Sequence, residues 1–231
     1  MVNSIIIQSE CMKIRFTKYG RREIAIVLAF SAVSAAAVLT LLPFMWWLAA
    51  LPVILTGFIL YFFRHPHRNI PAGEGLFVAP ADGRITDIEI CREDDYLGEE
   101  TRRISIFLSV FDVHINRAPC AGKVEHVKYR KGKYLNALRK KSAVENERND
   151  VCIRFGENGD RVLVRQISGA LARRIVCDCA RGDSLERGRV IGMIKLGSRT
   201  DLFVPARLNF EVLVKVGTRV KAGETVIGRL A

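Results

Sequence analysis

The chain has no C-x-x-C pair, only four histidines and no long apolar run after residue 63, and each shortage narrows what it can be. Six cysteines are scattered at Cys11, Cys91, Cys120, Cys152, Cys177 and Cys179. The one C-x-C, Cys177 and Cys179, lacks a second pair or a nearby His, which argues against a zinc site. Strand alternation puts those two side chains on one face, read as inward, and all six cysteines read as reduced thiols. No nucleic-acid-binding motif is found. The formal net charge of +12, from 36 Lys and Arg against 24 Asp and Glu, therefore asks for another anionic partner, lipid or acidic substrate, or describes a solvated basic surface.

The apolar sequence lies early. Residues 24–42 are continuously apolar or small, Pro43-Phe44-Met45-Trp46-Trp47 interrupts them, and residues 48–63 are apolar again. A spanning helix needs roughly 20 such residues. Lys18, Arg21 and Arg22 precede the first run, and Arg64, His65, His67 and Arg68 follow the second. Basic charge at both ends predicts a helical hairpin with both ends on the cytoplasmic side of a cell membrane, crossing it or dipping into it. A cleaved signal peptide would explain the basic start and the small residues Ser34-Ala35-Ala36-Ala37, but not the second apolar run. Met12, before Lys13-Ile14-Arg15, is an alternative start. The chain divides into a basic segment, 1–23, a hairpin, 24–63, and a β-rich domain, 64–231.

From Gly75 onward short strands alternate with glycine turns, the pattern of an antiparallel sandwich or barrel. Leu, Ala and Lys over residues 134–143 predict one helix. Two glycine turns with a strand after each form an internal repeat: Gly182 to Gly188 before Val190-Ile191-Gly192, and Gly217 to Gly223 before Val226-Ile227-Gly228. The repeat resembles the barrel-sandwich hybrid fold of biotinyl and lipoyl carriers, so the fold class is mainly β. No Met-Lys-Met tip is present, which disfavours a carrier.

Several phrases stand in a telling order: Phe63-Arg64-His65-Pro66, Ala79-Pro80-Ala81-Asp82-Gly83, Phe111-Asp112-Val113-His114-Ile115-Asn116, Glu145-Asn146-Glu147-Arg148-Asn149, Val164-Arg165-Gln166-Ile167-Ser168-Gly169 with Ala172-Arg173-Arg174, and Leu196-Gly197-Ser198. Together they resemble the phosphatidylserine decarboxylase family, in its short bacterial or archaeal-type branch, over about residues 62–231. A glycine before a serine leaves its carbonyl unshielded and permits a strained turn onto which the hydroxyl can close. The resemblance implies self-cleavage between Gly197 and Ser198, a pyruvoyl cofactor made from Ser198, and two chains, 1–197 and 198–231, that stay together. It further implies that the pyruvoyl carbonyl condenses with the amine of phosphatidylserine and accepts the electrons left by departing carbon dioxide, with no metal and no pyridoxal phosphate.

His114 is then the candidate acid and base, able near a pKa of about 6.5 to do both. Asp82 is its candidate orienting partner by the logic of a serine triad. Longer members of the family carry a second His where this chain has Arg117, which could hold a phosphate or an oxyanion. Arg199 and Lys195 are further substrate-binding candidates. The basic stretch from Lys123 to Lys141 suits docking on an anionic lipid surface better than nucleic acid. Every candidate follows residue 63, so deleting residues 1–63 is expected to spare self-cleavage. An ether-lipid serine as substrate and a non-enzymatic membrane-fusion adaptor are the alternatives, and oligomeric state stays open.

Overall fold

Two apolar helices lead into a β-rich body in the computed structural model, which describes residues 15–137, 141–170, 174–195 and 197–230. Helix α1 (Arg21–Leu41) and helix α2 (Ala50–Phe62) are joined by a 3-10 segment, Pro43–Ala49, whose proline and non-helical Met45 break the run. The helices pack on each other, and Ser31 Oγ meets the Pro52 carbonyl at 2.9 Å and Thr56 Oγ at 2.6 Å across the gap. Their outer faces are bare: Phe30, Val33, Phe44, Trp46 and Ile54 are all more than half exposed. Soluble surfaces rarely carry so large an apolar patch.

The strands that follow are β1 (Leu76–Val78), β2 (Gly83–Glu93), β3 (Glu99–Leu108), β4 (Ile115–Arg117), β5 (Gly122–Arg130), β6 (Arg148–Phe155), β7 (Asp160–Ile167), β8 (Arg174–Cys177), β9 (Ser184–Leu185), β10 (Val190–Lys195), β11 (Ser198–Pro205), β12 (Phe210–Val212), β13 (Arg219–Val220) and β14 (Val226–Leu230). An eight-stranded sheet runs β13-β2-β3-β11-β7-β6-β5-β9, and two three-stranded sheets run β1-β14-β12 and β4-β10-β8. Ile85, Ile104, Ile106, Val151, Val164 and Leu202 form the heart of the core between them. The expected mainly β class with a helical hairpin is what the chain forms.

The repeat is real in three dimensions. Gly182, Gly188, Gly217 and Gly223 all have left-handed φ, as tight turns require. Gly188 N–H donates to the Ala118 carbonyl and Gly223 N–H to the Ala79 carbonyl, so the two turns dock alike. Both also rest on Ile70: a Cβ at Gly188 or Gly223 would lie 2.4 or 2.9 Å from its Cδ1.

The helix expected over 134–143 shrinks to one turn, α3 (Ser142–Glu145), with residues 138–140 outside the described part. Asn146 supplies the reason. Its side chain accepts from Leu135 N–H (2.8 Å) and donates to the Leu135 carbonyl (2.7 Å), taking the backbone groups a helix would use. Arg139 and Lys140 of the basic stretch lie in that undescribed gap. Arg130 and Lys133 are tied to Asp95 and Glu145, so part of the basic stretch is neutralised locally. Cys177 and Cys179 do share a face, with sulfurs 3.6 Å apart, and pack against the core as expected; the described cysteines are free thiols.

Candidate active site

The turn between β10 and β11 carries Gly197 and Ser198; Leu196 lies outside the described residues. Gly197 has φ +60°, a conformation that favours glycine. Ser198 opens β11, which lies between β3 and β7, with Ser198 opposite Leu108 and Arg199 opposite Ile167. All eight residues of that strand are buried. Ser198 Oγ is buried without any hydrogen-bond partner. An unpaired buried hydroxyl costs roughly 1–3 kcal/mol, and this one belongs to the residue that follows Gly197.

His114 reaches this turn from just before β4. Its Nε2 accepts the Gly197 N–H at 3.2 Å, and its Nδ1 donates to the Asp112 carbonyl at 2.9 Å. That second bond selects the tautomer with a free Nε2 lone pair. Asp112 is itself held by a local turn, its Oδ2 accepting Ser109 N–H at 2.8 Å. The imidazole is fully buried and lies against the Phe62 ring, centroids 4.5 Å apart. Burial pushes the His114 pKa from the ordinary 6.5 down to about 4, a fall that the Asp112 carbonyl only partly offsets. The neutral imidazole can accept a proton at neutral pH, and burial makes its protonated form costly.

Asp82 is not the partner of His114. Its Oδ2 accepts from Arg68 at 2.7 Å and its Oδ1 from Ala222 N–H at 2.8 Å. Burial raises its pKa, and the Arg68 guanidinium works against that rise. Arg68 also reaches Glu224 at 3.2 Å, so Asp82 fastens the segment after the hairpin to the β13–β14 turn. The carboxylate meant to orient the imidazole is replaced by a backbone carbonyl, for which residue type gives no signal.

The three candidate cations separate as well. Arg199 is buried and bidentate on Asp201, at 2.6 and 2.8 Å, and reaches Ser105 Oγ at 2.9 Å. Lys195 pairs with Glu23 at the start of α1. Arg117 donates to the Gly188 carbonyl at 2.8 Å and to His65 Nε2 at 3.2 Å. Its neighbour Asn116 points the other way, donating to Thr200 Oγ at 3.0 Å, while Gln166 donates to Asn116 and Asn149 to Gln166. Thr200 shares a strand face with Ser198 by the two-residue period. Only His114, Gly197 and Ser198 of the candidates come together, with Thr200 and Asn116 beside them.

Two contributors lie in the chain unannounced by residue type. Gly169 packs on the Gly197 carbonyl: a Cβ there would stand 1.9 Å from its oxygen. Phe62, the last residue of α2, walls off His114, and the hairpin adds a Phe58–Phe111 contact and an Arg64 bond to the Phe111 carbonyl (2.8 Å). The end of the hairpin thus packs directly against the candidate His114.

Comparison with known proteins identifies the family of the chain. The family model described as phosphatidylserine decarboxylase matches residues 55–228. The chain belongs to the phosphatidylserine decarboxylase family. A phosphatidylserine decarboxylase proenzyme of Rhodopirellula baltica is 44% identical over 93% of this chain and 88% of its own. Those of Carboxydothermus hydrogenoformans and Syntrophus aciditrophicus are 46% and 40% identical, over 80% and 90% of this chain and 85% and 96% of theirs. Membership of this decarboxylase family sets aside the adaptor. These relatives are named as proenzymes.

Proposed function

We propose that this chain is a proenzyme that cuts itself between Gly197 and Ser198 and then, as a pyruvoyl enzyme, decarboxylates phosphatidylserine to phosphatidylethanolamine. The observation that carries the reading is His114 Nε2 at the Gly197 N–H, beside a buried, unpartnered Ser198 Oγ on a left-handed glycine. In the first step Nε2 leaves the Gly197 N–H and takes the Ser198 hydroxyl proton. Oγ bonds to the Gly197 carbonyl carbon and the carbon–nitrogen bond breaks, giving an ester and a free amine. Loss of the Ser198 α-proton breaks the Cβ–Oγ bond and frees Gly197 as a carboxylate. Water then displaces ammonia to leave the ketone. General-base help of this kind contributes on the order of 10²- to 10⁴-fold.

Ser198 fits the pyruvoyl role because it supplies all three carbons of the group, the ketone oxygen coming from water, and it lies buried at the start of β11. When formed, that group serves as the electron sink for loss of carbon dioxide. The residues around it have separate tasks. Thr200, fixed through Asn116, Gln166 and Asn149, holds the strand face on which the group stands. Phe62 keeps water from His114. The 1–197 and 198–231 chains remain one body, since β11 lies between β3 and β7 and β14 pairs with β1. The bare apolar hairpin seats in a membrane with the β domain on the basic, cytoplasmic side, where the substrate lipid lies. Intact mass of the purified protein tests the reading. Two chains are expected, the smaller without a free amino terminus, and Ser198→Ala is expected to stay whole and inactive. A single chain of unchanged mass with full activity would overturn it.

A further inference from the structure

Arg117 leaves β4 on the face opposite Asn116, and beyond it lies a cavity of about 510 Å³ that the cleavage chemistry does not use. Arg15, Arg21, His65, His67, Arg68 and Arg117 line it, with no carboxylate in the wall among the described residues. Arg68 is balanced by Asp82 and Glu224. Among the described residues, Arg15, Arg21 and Arg117 have no carboxylate within ion-pair distance, so three guanidinium groups face one space without an ion pair, and Asp82 and Glu224 act on Arg117 only through space. Burial and then the charges of Arg117, Arg15 and Arg68 hold His65 below its ordinary pKa, as expected where positive charge is in excess.

The wall is built rather than incidental. Arg15 and His65 are fixed by the pairing of the two chain segments that leave the hairpin: Thr17 N–H donates to the Phe63 carbonyl at 2.9 Å and His65 N–H to the Arg15 carbonyl at 2.7 Å. Arg21 is the first residue of α1, and α2 ends at Phe62. The cavity therefore sits at the foot of the hairpin, where bare apolar surface gives way to polar. Guanidinium pairs suit phosphate oxygens, and the volume exceeds what a bare phosphate needs.

We propose that this cavity holds the phosphodiester of an anionic phospholipid that is not the molecule being decarboxylated, with its acyl chains along the hairpin. The inference rests on the membrane reading above. His114, Gly197 and Ser198 are absent from the lining, and Arg117 and Asn116 point to opposite sides of one strand. A lipid held here anchors the domain against the leaflet at a fixed height while substrate turns over at the other face.

Native mass spectrometry of the full chain in neutral detergent, titrated with phosphatidylglycerol, phosphatidylcholine or inorganic phosphate, tests this. One phosphatidylglycerol is expected per chain, retained equally by the wild type and by Ser198→Ala, which cannot form the pyruvoyl group. Phosphatidylcholine and inorganic phosphate are expected to be retained far less. Arg21→Gln should weaken retention roughly tenfold, and Arg15→Gln with Arg21→Gln roughly a hundredfold, with the two-chain product still formed as a check of folding. Equal retention by the double variant, equal retention of phosphatidylcholine, or inorganic phosphate binding without lipid binding would overturn the site. Loss of the lipid in Ser198→Ala would assign it to the reacting centre and overturn the proposal too. Absence of self-cleavage in the wild type would sink the decarboxylase reading alone, because lipid retention is read independently.

Discussion

His114 and Arg117 stand three residues apart in one motif, yet one occupies a dry apolar niche and the other a cationic cavity. On the His114 face, Phe62 and the sheet exclude water, a backbone carbonyl fixes the tautomer, and the imidazole is held neutral. On the Arg117 face, guanidinium groups converge without enough carboxylates to balance them. Desolvation favours the neutral form of a titratable base, which suits proton abstraction. An arginine cannot shed its charge in this way, so it is placed where a mobile anion can approach it. A side chain at position 117 points away from Asn116 here, so the proposed cleavage draws on the single imidazole of the other face.

The largest effect that could break this contrast is expected from His114→Ala. Two-chain formation in a cell-free translation time course should slow by on the order of 10²- to 10⁴-fold, whereas Arg117→Gln should slow it far less. Comparable losses in both would mean that the two faces act as one site. Gly169→Ala comes next. Its new Cβ would drive the Gly197 carbonyl from its place, and a misplacement near 1 Å can cost about 10²-fold. Cleavage at the normal rate would show that the carbonyl is not held by that contact.

Phe62→Ala sharpens the account of the dry face. With water admitted, the His114 pKa should rise from about 4 toward the ordinary 6.5. Because the neutral form is the base, the acid limb of the cleavage rate should move up in pH with it. The wild-type fold should also carry a matching stability term, since its folded pKa is depressed. That term is present above about 6.5 and lost as pH falls through about 4, and amounts to up to roughly 3 kcal/mol. Urea titrations across that window should show the loss in the wild type and a shallower one in Phe62→Ala. An unchanged limb would mean that Phe62 does not control the hydration of His114.

Asp82→Asn should have the smallest effect on cleavage. It weakens the grip on Arg68 and so lowers stability, by less than the roughly 3–5 kcal/mol of a buried charge left unpaired, because Glu224 still pairs with Arg68. The cleavage rate of the folded protein should stay within a few-fold of wild type, because Asp82 does not touch the imidazole. A loss as large as that of His114→Ala would restore Asp82 to the proton-transfer machinery.

Residue order alone determined a good deal. Apolar run length and flanking charge announced the hairpin, because a helix without polar breaks needs no tertiary help to be apolar all round. Glycine spacing announced the repeated turns, because left-handed φ at Gly182, Gly188, Gly217 and Gly223 is a local demand. Ser198, Gly197 and His114 were legible because their chemistry lies in their side chains or in the absence of one. Tertiary structure alone decided the rest. Asp82 and Arg199 carry the charges a site would want, but Arg68 and Asp201 reach them first. Leu135 lost its helix to an amide eleven residues later, Asn146. Phe62, Gly169 and the Asp112 carbonyl act through shape, closeness and backbone, none of which residue type encodes. The neutrality of His114 belongs to this group as well, since desolvation depends on what packs around a side chain and not on which side chain it is.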